Sequence, residues 1–271
     1  SILGPHPGST SVTDNLSTRA ITETGDNVLI GGFIVHGAGS KDVIIRALGP
    51  SLANAGVSGA LADPTLELRD QNGNVIAFDD DWEDDPDQRT AIQNSGLAPN
   101  DPKESALAET LSPAGYTAIV RGVNSTTGVA LVEVYDIDSQ PATSQLANIS
   151  TRAPVQAGDN VMIGGFIITG SDPTNVLVRG LGPSLAAAGV SGALADPLIE
   201  LHDGQGNLIT SNDNWQQDSL QATQIQATGL APGNALESAL VLPLTAGNYT
   251  AIVKGANGTT GVGLVEVYNL K

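Results

Sequence analysis

The sequence predicts an all-β protein built as two tandem β-sandwich domains, and three observations carry that prediction. The 271 residues are 40% hydrophobic but only 3% aromatic, so the core must be made of Val, Ile, Leu and Ala. β-Branched residues suit a pleated surface, and 32 Gly and 15 Pro supply frequent chain reversals between them. Most telling, nearly the whole sequence occurs twice.

NLSTRAITETGDNVLIGGFIVHG from Asn15 returns as NISTRAPVQAGDNVMIGGFIITG from Asn148. IIRALGPSLANAGVSGALADPTLEL returns as LVRGLGPSLAAAGVSGALADPLIEL, and YTAIVRGVNSTTGVALVEVYD as YTAIVKGANGTTGVGLVEVYN. The offset is constant and no gap interrupts the match. A period of this length is a whole domain rather than a solenoid unit. The predicted organisation is an N-terminal arm over 1–14, a first repeat over 15–137, a polar linker over 138–147 and a second repeat over 148–271.

Within the first repeat, eight apolar runs of strand length follow one another: STRAIT, NVLIGGFIVHG, DVIIRALG, TLELRD, NVIAFDD, ESALAETL, YTAIVRGV and GVALVEVYD. Between the fourth and fifth, Asn72-Gly73 favours a two-residue hairpin turn. DQRTAIQNSG and its counterpart DSLQATQIQATG read as short helices ending at Gly96 and Gly229. GGF at Gly31–Phe33 and GLGPSL at Gly180–Leu185 are not phosphate loops, because no Lys-Ser/Thr follows and no helix is expected there. Glycine inside a strand marks a bulge or a close backbone approach instead.

A net charge of −18 and a pI near 4.2 repel phosphate backbones and anionic lipid headgroups, so nucleic acid is not an expected partner. The lack of Cys removes disulfides, Cys-ligated metals and thiol nucleophiles. No apolar run is long enough to insert in a membrane as a helix. The opening SILGPHPGST has neither Met nor a basic-then-apolar leader, which suggests a processed form or a fragment of a secreted protein.

TLELRDQNGNVIAFDDDW followed by ESALAETLSPAGYTAIVRG resembles the bacterial pre-peptidase C-terminal domain: a strand, an NG hairpin, an Asp-rich loop, then a Pro/Gly turn into a Tyr-containing strand. The likeness covers about half of each repeat. It implies a jelly-roll-like antiparallel sandwich, secretion and a non-catalytic accessory or surface role. No enzymatic domain accompanies the modules here, which departs from that family's usual setting.

FDDDWEDDPDQ, residues 78–88, is the stretch with the most chemistry in it. Its copy tests it. Asp79, Asp80, Asp81 and Asp85 align with Asn212, Asp213, Asn214 and Asp218, and Trp82 aligns with Trp215. Calcium accepts carboxylate and amide oxygens alike, whereas an amide cannot carry the proton of acid–base catalysis. These eight residues are therefore candidate calcium ligands rather than catalytic groups. The competing reading is an acidic surface loop anchored by a half-buried Trp. An EF-hand does not fit, because Val75 stands where its sharp turn requires Gly.

His6, His36 and His202 align with no other His, so a shared Ser-His-Asp device is not expected. Glu104, Glu237, Glu133 and Glu266 lie in apolar strands, as do Arg46, Arg179, Arg121 and Lys254, and cross-strand pairing is the expected role of all eight. No enzymatic activity is expected. The favoured function is a self-assembling subunit of a bacterial surface fibre or layer, outside the cell, whose arm adds as a strand to the next subunit. The alternative is a calcium-assisted carbohydrate- or surface-binding module pair, with Trp82 and Trp215 as ligand-binding stacking platforms.

Overall fold

The computed structural model describes residues 12–138 and 144–270, with residues 12–14 as backbone. Most of the N-terminal arm and the middle of the linker therefore lie outside the described residues. Two compact units emerge. The first is Asn15–Ala147, and the second is the described chain from Asn148 onward together with residues 12–14.

The first repeat supplies β1 (Val12–Thr22), β2 (Leu29–Gly37), β3 (Lys41–Leu48), α1 (Pro50–Asn54), β4 (Pro64–Arg69), β5 (Val75–Asp79), α2 (Pro86–Ser95), β6 (Ser105–Leu111), β7 (Ala114–Gly122) and β8 (Gly128–Asp136). The second supplies β9 (Ser144–Val155), β10 (Met162–Thr169), β11 (Thr174–Leu181), α3 (Pro183–Ala187), β12 (Pro197–Asp203), β13 (Leu208–Asn212), α4 (Ser219–Ala227), β14 (Ser238–Leu244), β15 (Gly247–Gly255) and β16 (Gly261–Leu270). All eight predicted strand runs are strands, and both repeats fold alike. Each is a jelly-roll-like antiparallel sandwich.

In the first unit one sheet runs β5-β4-β7-β2, and the facing one β6-β3-β8-β1. β2 is bordered on its other side by β9, whose first residues, Ser144–Ala147, belong to this unit. The second unit repeats the pattern with β13-β12-β15-β10 and β14-β11-β16-β9.

The hydrophobic pattern explains the layers. β4 alternates buried Leu66 and Leu68 with outward Glu67, as a half-buried strand must. β3 instead is buried on both faces, because Ile44 packs with Trp82, Ile92 and Ala106 beneath α2. Each fully buried Leu or Ile contributes about 1.5–3 kcal/mol relative to exposure. Gly31 faces the other sheet, where a Cβ would stand 3.2 Å from Val132 Cγ1, so the expected close approach is one between layers.

Two expectations are corrected. The hairpin after β4 is a five-residue turn, 70–74, with a bulge between Leu68 and Arg69 rather than a two-residue turn. Asp70 Oδ1 accepts from both Asn72 N and Asn74 N, which stabilises the longer loop and leaves Gly73 at φ 83°. Short helices α1 and α3 open within the LGPSL segments, where none was expected, on Pro50 and Pro183. The described ends of the linker are held in place. Asp138 pairs with Lys41, and Ser144 Oγ donates to Ser40 O at 2.9 Å while Leu146 is 1% exposed.

Candidate functional site

The acidic loop is best understood from the aromatic ring at its centre. Trp82 and Trp215 are each 5% exposed and sit in the apolar layer covering β3 and β11. Their Nε1 atoms donate to Asp101 O at 3.2 Å and Asn234 O at 3.0 Å, and their backbone N–H groups to Glu104 O and Glu237 O. A ring enclosed in this way offers no open face to a sugar. The ligand-binding role read for Trp82 and Trp215 is corrected to that of a core anchor.

The flanking Asp and Asn side chains separate into those that accept from backbone N–H groups and those that do not. Asp79 Oδ2 accepts from Ala106 N at 2.8 Å, and Asn212 Oδ1 accepts from Ala239 N at 3.0 Å in the same place. Asp85 is the N-cap of α2, accepting from Asp87 N and Gln88 N, and Asp218 caps α4 through Leu220 N and Gln221 N. These four candidate calcium ligands thus satisfy backbone donors, the usual task of an oxygen-bearing side chain at such positions.

Asp80, Asp81, Asp213 and Asn214 remain, and the structure adds a partner that sequence reasoning did not single out. Asp63, from GALADP, lies close enough to Asp80 and Asp81 to raise their proton affinity, which burial raises first. In the second unit Asp196 is likewise raised by burial and then by Asp213. GALADP is identical in both repeats and was the available clue, but its distance from the loop in sequence hid it. Asp80 Oδ1, Asp196 Oδ1, Asp213 Oδ1 and Asn214 Oδ1 are buried without a hydrogen-bond partner among the described residues.

Orphaned acceptors of this kind suit a cation. In the first unit Lys103 Nζ stands 3.2 Å from Asp63 Oδ2 and supplies positive charge; its counterpart is Leu236. The second unit lacks that lysine, so its oxygens are the better fit to calcium. Among the described residues, no three His, Asp or Glu side chains converge as a ready metal cage.

Glu104 and Glu237, both fully buried, are latches. Glu104 accepts from Gly49 N at 3.0 Å, Ser51 N at 2.8 Å and Ser51 Oγ at 2.6 Å; Glu237 accepts from Gly182 N, Ser184 N and Ser184 Oγ. Their expected cross-strand pairing is replaced by these bonds to the starts of α1 and α3. Gly49 and Gly182 permit the approach, since a Cβ there would fall 2.1 Å and 2.0 Å from Leu61 O and Leu194 O. The other charges pair across strands as expected: Arg46 with Glu133, Arg179 with Glu266, Arg121 with Glu67 and Lys254 with Glu200.

Asp79 carries a testable consequence. Burial, together with the charges of Asp81, Asp84 and Asp80, outweighs its bond to Ala106 N and pushes its pKa up to about 6. A carboxyl raised on folding contributes stability at low pH that is lost as pH rises through the folded value. Asp79→Asn keeps the acceptor, as Asn212 does, and removes the ionisation. The variant should melt higher than wild type at pH 7 to 8 and nearly equally at pH 4, by calorimetry across pH. A variant that melts lower at pH 8 would rule out this account.

No family model and no curated protein matches the chain. Solved structures similar to it include a DUF4785 family protein from Legionella pneumophila, at 11% identity and TM-score 0.22 over 95% of this chain; the chain spans 65% of that protein's length. A structure from Sulfolobus Turreted Icosahedral Virus is 10% identical with TM-score 0.22, covering 96% of this chain and 90% of its own. Bacillus subtilis oxalate decarboxylase is 7% identical with TM-score 0.16, over 96% and 72%. At such scores the fold assignment stands on this chain's own strand topology.

Proposed function

We propose that this chain is a non-enzymatic extracellular structural protein, the self-assembling subunit of a bacterial surface fibre or layer, joined head to tail by strand addition of its leading segment. One observation carries the reading. The segment leading into the second repeat, Ser144–Ala147, is a strand that finishes the preceding unit beside β2, with Leu146 buried and Ser144 tied to Ser40. Of the corresponding residues leading into the first repeat, Val12–Asp14 belong by backbone contacts to the second unit rather than to their own repeat. A contact between segments of one chain that are distant in sequence can equally be made between two copies, and head-to-tail exchange that does not close gives a filament.

Calcium is proposed as a support for the second unit, held by Asp196, Asp213 and Asn214, with no part in chemistry. The glycan-binding alternative loses its stacking platform with the burial of both Trp residues.

The test is refolding at high protein concentration, so that closed and exchanged forms equilibrate, followed by negative-stain electron microscopy of the full chain and of a variant lacking residues 1–14. Filaments are expected from the full chain alone, with a lower melting temperature in chelator than in calcium. Dispersed particles from the full chain under every condition would overturn the assembly reading, and melting unaffected by chelator would overturn the calcium one.

A further inference from the structure

Lys41 is the one basic residue among the buried side chains of the described residues, at 1% exposure. It opens β3, and its Nζ lies 2.7 Å from Asp136 Oδ2 at the end of β8 and 2.7 Å from Asp138 Oδ2 just beyond it. Both carboxylates are held at their other oxygen: Asp136 Oδ1 accepts from Asp138 N at 3.1 Å, and Asp138 Oδ1 from Asp42 N at 3.1 Å. An amine and two fixed carboxyl groups thus meet with little room for water, each carboxylate being 18% exposed.

The fold does not require that arrangement. At the same place in the second unit a neutral pair closes the structure, Thr174 Oγ1 donating to Asn269 Oδ1 at 2.6 Å. A buried charged triad is a costlier way to fill the position. Its chemistry points to what it adds. An uncharged lysine is a nucleophile, and a carboxyl group beside it can accept the attack when a second carboxyl carries protons. Nζ at hydrogen-bond distance from Oδ2 stands close to the roughly 3–3.5 Å from Cγ that a near-attack geometry needs.

We propose that Lys41 and Asp136 join in an intramolecular isopeptide bond, with Asp138 as the proton carrier. The ammonium of Lys41 gives one proton to Asp136 Oδ2, leaving a neutral amine beside a neutral acid. The nitrogen lone pair then forms the Nζ–Cγ bond, while a second proton passes from Nζ to the Asp138 carboxylate and from there to Oδ2. The Cγ–Oδ2 bond breaks and Oδ2 leaves as water. One proton stays on the amide nitrogen, Asp138 ends as it began, and no oxidant or cofactor enters. The Asp138 N–H on Oδ1 steadies the negative charge which that oxygen carries in between. Asp136 is the acceptor because it lies within the β3–β8 ladder, opposite Val43, whereas Asp138 follows the strand.

Burial favours the neutral amine, but the bonds and charges of Asp136 and Asp138 outweigh it, so the ion pair is the starting state and the bond forms slowly after folding. Any dependence on the charge of Lys41 belongs to that starting state. Once formed, the amide replaces two buried charges with a neutral group and removes their desolvation cost. It ties the start of β3 to the end of β8, where the first repeat passes into the linker. Tension along the chain would peel β8 from β3 at that end, and the covalent bond bears it instead. The inference stands apart from the assembly reading, since a single copy can form the bond.

The test is the intact mass of the full chain, held folded for several days, followed by peptide mapping. Wild type should be lighter than its sequence by one water, with the peptides of Lys41 and Asp136 joined. Asp138→Asn should form that bond at least tenfold more slowly, and an unchanged rate would overturn the role of Asp138. Lys41→Thr combined with Asp136→Asn copies the second unit's neutral pair, so it should fold and keep the full mass. Wild type at full mass would overturn the bond. So would a water loss that persists in the double variant, which would come from cyclisation at another aspartate. Joined peptides without filaments would uphold the bond and count against the assembly reading alone; filaments of full-mass protein would do the reverse.

Discussion

Glu104→Ala is expected to destabilise the first unit by about 3–5 kcal/mol, a cost typical of removing one member of a buried charged network. Glu104 is fully buried and takes three hydrogen bonds from the start of α1, two from backbone N–H groups and one from Ser51 Oγ. Alanine leaves all three donors without an acceptor in a space closed to water, and each orphaned donor costs about 1–3 kcal/mol. Glu104→Gln keeps one acceptor oxygen for the two N–H groups, and Ser51 can rotate its hydroxyl to accept from the amide. Its loss should be roughly 1–2 kcal/mol. Denaturant unfolding followed by Trp fluorescence reports the change, because Trp82 N–H donates to Glu104 O in the same unit. The transition of Trp215 in the second unit serves as internal reference. An alanine variant within about 1 kcal/mol of wild type would show that water or a neighbouring group replaces the carboxylate.

Lys41→Met should cost a similar amount, about 3–5 kcal/mol, for the complementary reason. Lys41 is 1% exposed at its side chain, with Nζ 2.7 Å from both Asp136 Oδ2 and Asp138 Oδ2. Removing the ammonium leaves two carboxylates facing each other in a largely enclosed site. The duplication supplies the rescue. The second unit has Thr174 and Asn269 at the places of Lys41 and Asp136, and Thr174 Oγ1 donates to Asn269 Oδ1 at 2.6 Å. Lys41→Thr combined with Asp136→Asn should therefore recover most of what Lys41→Thr alone loses, and a double-mutant cycle measures that coupling. Additive losses would mean that the two sites are not interchangeable.

The same lysine gives an alkaline dependence. Burial lowers its pKa, but the hydrogen bonds and charges of Asp136 and Asp138 more than reverse this, leaving it above 10.5. A cationic group raised on folding contributes stability that is fully present below the unfolded value and lost as pH rises through the folded one. The Met variant should lack that alkaline loss.

Each unit holds its charges by local arrangements that a reader of sequence can only partly anticipate. Arg46 and Glu133 were expected to pair because alternation in two strands placed both on one face, and the register sets them opposite each other. Glu104 immediately precedes an equally apolar strand, yet its partners are backbone amides more than 50 residues away. Strand periodicity says which side a carboxylate leaves the sheet, but not which loop returns to meet it. Half of the acidic loops' candidate ligands are taken up by contacts of the same kind. Asp79 and Asp85 are consumed by Ala106 N and by the start of α2, contacts that depend on where β6 and the helix come to lie.

The sequence by itself determined the duplication, the eight strands of each repeat, the core built mainly of Val, Ile, Leu and Ala, and the exclusion of thiol chemistry. These follow from short-range order: side-chain alternation, turn residues and composition act within a few positions. Tertiary structure alone decided that the tryptophans are buried anchors, that Asp63 and Asp196 stand by the acidic loops, and that the linker's last residues finish the preceding sheet. It also decided that β5 and β13 are edges. Such facts depend on which surfaces meet after the chain has folded back across tens of residues, where burial and hydrogen-bond satisfaction over the whole unit, rather than local preference, select the arrangement.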